Sequence, residues 1–228
     1  MGSRGRPEES RAAILKAAAG EFAEHGVAGA RTDAIAREAG VNKALLYYYF
    51  KDKETLYGAV LDEAFSGLKA QVFRALDGDQ TPREKVLAYV GAYFDFIAAN
   101  QLYPRLIQRE MMRAREGQSQ LIDKVTKNHI QPIFLRVSEV MREGIAQGQF
   151  RPVNPMHFVP SMVAMIVFYF SSAPMMQKIV GFNPLTPERI AERRAAVLDF
   201  ISAALFISTT NVSKTNFSKT NVTQGARS

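Results

Sequence analysis

A short stretch of the chain carries side chains that could contact another molecule without covalent chemistry. Asn42, Lys43, Ala44 and Tyr48, together with Tyr47 or Tyr49, lie close together at helical spacing. A lysine ammonium can donate to the acceptor atoms of guanine, and an alanine methyl can contact the methyl group of thymine. These side chains are suited to non-covalent contact with nucleic acid if a helix presents them on its surface.

Two short helices are expected to hold these side chains in place. Thr32 is a candidate N-cap for a helix over Asp33–Ala39, Gly40 ends that helix, and Asn42 caps a second one running to about Tyr48. Apolar residues at helical spacing supply the contacts between the helices: Ile35, Ala36, Ala39, Val41, Leu46 and Phe50. The arrangement is that of a helix-turn-helix, whose second helix can enter a major groove.

The segment from Thr32 to Glu54 also resembles a known family. Thr32-x-x-Ile35-Ala36-x-x-Ala39-Gly40-Val41, followed by the uninterrupted run Leu46–Glu54, closely resembles the DNA-binding domain of TetR/AcrR-family transcriptional regulators. The resemblance spans about residues 8–57. Tyr49 stands where the family most often has histidine, which leaves the role of that position open.

The resemblance implies a set of DNA-contacting positions. Thr32 matches residues whose hydroxyl and backbone N–H hold a phosphate, Lys43 and Ala44 match positions that approach base edges, and Lys53 matches a recurrent phosphate contact. The implied set is Arg31, Thr32, Asn42, Lys43, Ala44, Tyr47, Tyr48 and Lys53. Two alternatives stay open: Thr32 is a cap alone, or one tyrosine of the run Tyr47–Tyr49 packs inward.

Helical periodicity continues through most of the chain, and the fold class is predicted to be all-α with about nine helices. Pro132 lies inside a long helical stretch, where a kink or break is expected. The predicted division is a flexible arm over 1–7, the helix-turn-helix domain over 8–52, a larger domain over 53–207 for ligand binding and dimerisation, and a disordered polar tail over 208–228.

The last two predicted helices, about Met156–Ser172 and Pro187–Ile207, are candidates for a homodimer interface because the first is apolar on nearly every side. A small reading unit makes few DNA contacts, so two copies on a palindromic operator are expected. The family resemblance places its last two helices in such an interface.

The central helices are expected to surround a cavity for a small-molecule effector, as the resemblance implies. The candidate lining residues are Phe94, Ile97, Leu102, Arg105, Leu106, Arg109, Glu110, His129, Phe134 and Tyr169. This set favours an apolar or amphipathic effector. Residues 101–151 contain nine basic and five acidic residues, which admits an anionic effector, although ordinary surface charge explains the excess equally well.

Composition argues against catalysis. The 228 residues include no cysteine and three histidines, and no phosphate-binding glycine loop, metal-ligand spacing or nucleophile motif is recognisable. We therefore expect no enzyme, no cofactor and no metal. The longest apolar run, Met162–Phe170, is far shorter than the about 20 residues of a bilayer span, so a cytoplasmic location is expected.

The predicted function is that of a ligand-responsive transcriptional regulator, most often a repressor in the family. The alternative for the C-terminal part is an effector-independent DNA-binding protein whose apolar interior is simply packed. The net charge of +7 admits nucleic acid as a partner but does not locate the reading end, since residues 1–55 carry nine basic and eight acidic side chains.

Overall fold

A computed structural model describes residues 7–117 and 121–207, and these residues are almost entirely helical. The helices are α1 (Pro7–Gly29), α2 (Thr32–Glu38), α3 (Lys43–Tyr49), α4 (Lys53–Leu76), α5 (Pro82–Ala99), α6 (Tyr103–Arg115), α7 (Leu121–Val125), α8 (Gln131–Ala146), α9 (Pro155–Ser171), α10 (Ala173–Val180) and α11 (Pro187–Leu205). Within the described ranges no β-strand forms, and one isolated bridge joins Phe150 to Phe206. The all-α prediction is confirmed. The number of helices in these ranges is eleven, close to the predicted number of about nine. The predicted arm over 1–7 and the tail over 208–228 lie outside the described residues, apart from Pro7.

A π-helical turn lies near Pro132, where a kink or break was expected, and it accounts for one of the additional helices. The turn covers Thr126–Ile130 between α7 and α8, and Pro132 occupies the first turn of α8. The backbone stays helical at Val125, Ile130 and Gln131, so the proline, which has no N–H to donate, is accommodated without a break. The other additional helix, α10, follows a bend after Ser171 and also has a proline in its first turn.

Five of the eleven helices begin at a local side-chain cap. Asn42 accepts a hydrogen bond from the backbone N–H of Leu45 at 2.8 Å, and Asp52 accepts one from Thr55 at 2.7 Å. Before α5, Thr81 and Glu84 form a reciprocal capping box. These caps fix where α3, α4 and α5 begin.

Helix α1 contains a bend near its end. Gly26 has a positive φ of 65°, which only glycine adopts easily, and its ψ is 177°. The helix therefore bends at Gly26 and resumes for one further turn, to Gly29. The bend leaves backbone carbonyls that other helices must satisfy.

Helix α4 is shared between two parts of the core. It packs on α1 and on α5. The larger part of the core is formed by α5, α8, α9 and α11, which pack on one another. Leu56 and Leu61 of α4 are fully buried, which ties the N-terminal three-helix unit to the remainder of the chain.

No single helix in the described ranges is long and apolar enough to cross a bilayer, although α9 and α10 together pass by length and composition while bending by 68° between them.

Two helical glycines offer a matched test of the packing. A Cβ at Gly144 of α8 would overlap the buried ring of Phe150, whereas a Cβ at Gly20 of α1 would meet nothing within 4 Å. We expect Gly144→Ala to lower the free energy of unfolding by about 1 to 3 kcal/mol through overpacking. Gly20→Ala should instead raise it by about 0.5 to 1 kcal/mol, because alanine is the better helix former.

Urea unfolding followed by circular dichroism measures both changes. Equal effects of the two substitutions would contradict the packing of Phe150 against α8.

Candidate DNA-binding face and central cavity

Helices α2 and α3 form the expected helix-turn-helix. Gly40 lies in the turn with a φ of 67°, a conformation that favours glycine. Ile35 and Leu46 are fully buried, and Ala36 is buried beside them. These contacts hold the seven-residue α3, which is too short to be stable alone.

One side of α3 is exposed, and it carries the side chains predicted to read DNA. Asn42, Lys43, Ala44, Tyr47 and Tyr48 are all exposed; Tyr48 is 80% exposed and Tyr47 44%. They form a continuous surface along the N-terminal part and one flank of the helix. The described residues leave this surface uncovered.

The tyrosine run resolves one of the open alternatives. Tyr49 is the residue that turns inward: it is half-buried, and its hydroxyl donates to the carbonyl of Pro7 at 2.9 Å. Its ring meets Tyr48 edge-on and also contacts Phe50. Tyr49 therefore connects α3 to the start of α1, and Tyr47 and Tyr48 remain on the surface.

Lys43 has a structural partner that the sequence did not suggest. Its Nζ lies 2.9 Å from Oδ1 of Asp33 in α2, and both side chains are about half exposed. The hydrogen bond from Lys43 lowers the pKa of Asp33 and raises the pKa of Lys43. An exposed ion pair contributes little to stability, so Lys43 can exchange Asp33 for another acceptor at little cost.

The prediction that Thr32 caps α2 is wrong. Arg31 is the N-cap residue and makes no side-chain cap, while Thr32 is the first residue of the helix and is 9% exposed. The Oγ1 of Thr32 and the hydroxyl oxygen of Tyr47 lie 3.3 Å apart, within hydrogen-bond distance. The backbone N–H of Arg31 donates to Glu21 of α1, while the Arg31 side chain is exposed.

Lys53 and Arg109 bind the backbone at the bend and end of α1. The Nζ of Lys53 donates to the carbonyls of Ala28 and Ala30, both at 3.1 Å. Arg109 of α6 donates to the carbonyl of Ala23 at 3.0 Å and to that of Glu24 at 2.7 Å. Lys53 is thus engaged with the protein rather than free for a phosphate, and Arg109 faces α1 rather than a cavity.

A second arginine of α6 reaches α4. The Nη2 of Arg113 donates to both carboxylate oxygens of Glu54, at 2.7 and 3.0 Å, and its Nη1 lies 3.4 Å from the carboxylate of the fully buried Glu110. Its guanidinium also stacks on the ring of Tyr57, whose hydroxyl donates to the carbonyl of Leu106 at 3.2 Å. Burial raises the pKa of Tyr57 well above its usual value. Helix α6 is therefore bound to both α1 and α4.

A cavity of about 330 Å³ lies between α4, α5, α6 and α9. Its wall is made of apolar and aromatic residues, without a charged side chain among them: Leu61, Ala64, Phe65, Leu68, Tyr93, Phe96, Ile97, Tyr103, Pro104, Leu106, Ile107, Met111, Ile130, Pro160, Val163, Ala164 and Val167. Its size falls within the range of small-molecule sites.

Two of the ten residues predicted for a ligand pocket, Ile97 and Leu106, line this cavity. The other eight lie outside its wall: Phe94, Leu102, Arg105, Arg109, Glu110, His129, Phe134 and Tyr169. The polar members among them pair elsewhere. Arg105 lies 3.8 Å from Glu24, and His129 lies 2.8 Å from Asp62.

The aromatic and aliphatic members pack or point elsewhere. Phe94 packs on Phe170 within the core, Leu102 is 40% exposed beside α1, and the hydroxyl of Tyr169 donates to a loop carbonyl. Phe134 is half-buried against the apolar core.

Several wall residues were not predicted, although a signal for some of them exists. Leu61, Ala64, Phe65 and Leu68 repeat at the three- and four-residue spacing of a single helix face. That stripe identifies an apolar face of α4 but does not distinguish a packed face from a cavity wall. In the described part of the chain, no group of three or more His, Asp or Glu side chains is placed to hold a metal ion.

Two family models match the chain. The model for bacterial regulatory proteins of the tetR family covers residues 14–60, and the model for the tetracyclin repressor-like C-terminal domain covers residues 82–201. The first contains the whole helix-turn-helix, and the second spans α5 to α11 up to Ile201.

Individual proteins agree with this assignment. The HTH-type transcriptional repressor SCO4008 of Streptomyces coelicolor is 30% identical over 177 residues, covering 76% of this chain and 84% of the relative. The HTH-type transcriptional regulator RutR of Escherichia coli is 28% identical over 169 residues, covering 74% and 77%. The ketosteroid transcriptional regulator KstR2 of Mycobacterium tuberculosis has the same fold, with a TM-score of 0.70 at 20% identity over 87% of this chain and 95% of that one. With a helix-turn-helix at its N-terminus and a matching C-terminal domain, the chain belongs to the TetR family of transcriptional regulators.

Proposed function

We propose that this protein is a transcriptional repressor that binds a palindromic operator as a homodimer and is released by a small-molecule effector. The observation that carries the DNA-binding part is the uncovered face of α3, where all five predicted reading residues are exposed. The name of the Streptomyces relative, a transcriptional repressor, supports the direction of regulation. The cavity supports the effector response over a packed, effector-independent interior.

Base reading is assigned to Lys43 and Ala44, near the N-terminus of α3. Lys43 would leave Asp33 to donate to guanine, and Ala44 would contact a thymine methyl. Tyr47 and Tyr48 would contact the DNA backbone from the flank of the helix. With these roles, the preference for a DNA sequence depends mainly on one long side chain, that of Lys43.

Phosphate contacts are assigned to the residues around the start of α2. The exposed side chain of Arg31, the paired hydroxyls of Thr32 and Tyr47, and the Asn42 amide surround one edge of the reading face. Lys53 takes a structural role in this proposal, because its ammonium already binds two carbonyls.

The same contacts suggest how the chain divides. Residues 8–52 form the reading unit, and residues 53–207 form the effector and dimerisation part. Helix α4 lies at the boundary and packs on both.

Replacing Lys43 tests the reading face. We expect Lys43→Ala to weaken operator binding by about 1 to 3 kcal/mol and to relax the preference at one base pair, because a base-edge contact is lost. Selection from random DNA followed by fluorescence anisotropy measures both effects. Lys178→Ala on α10 removes the same charge from an exposed position and should leave the preference unchanged. An identical selected sequence for Lys43→Ala and the unaltered protein would refute the assignment.

We assign the homodimer interface to α9 and α11. These are the two helices that were predicted to come last in the chain, and α10 lies between them in sequence. Large apolar side chains remain exposed on both, with Phe168 64% exposed on α9 and Phe200 59% exposed on α11. Exposed apolar area of this kind commonly marks a protein interface. Dimerisation would place two reading faces on successive half-sites, about 34 Å apart.

A charge within this interface should separate the subunits. We expect Phe168→Glu to produce a monomer at micromolar concentration, because a buried unpaired carboxylate is costly. Leu135→Glu on α8, where leucine is 50% exposed, should leave the dimer intact. Sedimentation velocity distinguishes the two results, and a dimeric Phe168→Glu variant would argue against an interface through α9.

We assign to α6 the coupling between effector binding and operator binding. One face of α6 lines the cavity through Leu106, Ile107 and Met111, and another face holds α1 and α4 through Arg109 and Arg113. An effector that displaces α6 would shift the reading unit relative to the dimer. A coupling of about 1 to 3 kcal/mol is typical for such systems.

The anchor at Arg109 can be tested without an effector. We expect Arg109→Met to lower the free energy of unfolding by about 2 to 3 kcal/mol and to speed amide exchange near the end of α1, since two charge-assisted hydrogen bonds are lost. Arg105→Met, which removes a longer and exposed ion pair with Glu24, should change stability by less than about 0.5 kcal/mol. Indistinguishable exchange profiles for the two variants would contradict the anchoring role.

A further inference from the structure

The chemistry of the cavity wall restricts what it can bind. Every side chain in it is aliphatic or aromatic, and its hydroxyls belong to Tyr93 and Tyr103. A charged group placed in such a site would lose its hydration without gaining a partner, which is strongly unfavourable. The wall therefore selects against ions.

Several charged side chains on the helices around the cavity are engaged elsewhere. Arg109 and Arg113 bind α1 and α4, as described above. Lys69 of α4 donates to a backbone carbonyl of the π-helical turn at 3.1 Å. His129 lies 2.8 Å from Asp62 and stacks on Phe65, so its ring contacts the outer side of a wall residue. An anionic ligand would have to break one of these contacts to pair with Arg109, Arg113 or Lys69.

Tyr93 gives the site one polar position. It is a buried residue of the wall, and among the described residues its hydroxyl has no hydrogen-bond partner. Burial raises the pKa of Tyr93 to about 12, so the hydroxyl stays protonated at neutral pH and can both donate and accept. A ligand hydroxyl or carbonyl would supply the missing partner.

The wall reaches the surface beside α6, where two of its apolar residues are exposed. Met111 is 55% exposed and Ile130 is 38% exposed. We expect an elongated hydrocarbon to enter past these two apolar side chains.

We propose that the cavity binds an uncharged, largely hydrocarbon molecule with one hydroxyl or ketone group that hydrogen-bonds to Tyr93. The claim that such a molecule is the natural effector rests on the proposed function, whereas the claim that it binds in the cavity does not. The surplus of basic residues in 101–151 admits an anionic effector instead. Preferential binding of an anion is therefore the contrary outcome of the test.

Displacement of a neutral fluorescent probe measures the selectivity on the full chain without DNA. N-phenyl-1-naphthylamine should bind with increased emission, and 1-decanol should displace it at a concentration at least about tenfold below that of decanoate at pH 8. Equal or better displacement by decanoate would overturn the proposal. So would an absence of binding by both the probe and decanol.

Two substitutions locate the binding. Tyr93→Phe should weaken decanol about five- to tenfold and leave N-phenyl-1-naphthylamine unchanged, because only decanol has a hydroxyl to pair. Met111→Lys should shift the selectivity toward decanoate, whereas Met112→Lys, at a similarly exposed neighbour outside the wall, should not. Thermal unfolding by circular dichroism verifies that each variant folds. Equal effects of the two lysine substitutions would place the ligand elsewhere and refute the assignment.

Operator binding by the same preparations separates this proposal from the proposed function. If decanol binds but leaves operator affinity unchanged, the ligand class stands and the effector response fails. If decanoate releases the operator while decanol neither binds nor releases it, the response stands and the ligand class is wrong.

Discussion

The backbone carbonyls at the bend and end of α1 impose the constraint on which this structure depends. Because the helix bends at Gly26, carbonyls there lose their regular intrahelical partners. The chain satisfies them with cationic side chains from two other helices: Arg109 of α6 reaches the bend, and Lys53 of α4 reaches the end. These bonds, together with the shared apolar core, fix the three-helix reading unit to the rest of the protein.

The same constraint gives α6 two roles. Its apolar face forms part of the cavity wall, and its arginines reach α1 and α4. A ligand that occupies the cavity acts on the first face, and the reading unit is attached to the second. We propose that operator affinity depends on the contents of the cavity for this reason, while α4 transmits the displacement along its packed length.

Sequence alone predicted the features that depend on local chemistry. The cap at Asn42 and the turn at Gly40 follow from residues that act on their own neighbours. The exposed face of α3 follows from the apolar residues that must be buried opposite it. Cavity residues were harder to predict, because periodicity identifies an apolar face without showing what lies against it.

The contacts of the longer side chains were the hardest to predict from the sequence. Arg109 and Lys53 reach backbone atoms that belong to a distant segment, and no spacing in the sequence encodes that reach. Ile97 and Leu106 line the cavity, and both are buried apolar residues of their helices.

We propose that the cavity and the reading face are thermodynamically linked. This linkage is tested most directly by measuring the Kd of 1-decanol with and without saturating operator, and the Kd of operator with and without saturating 1-decanol. Linkage raises both constants by the same factor, about 5- to 150-fold; a 1-decanol Kd that operator leaves unchanged would contradict it.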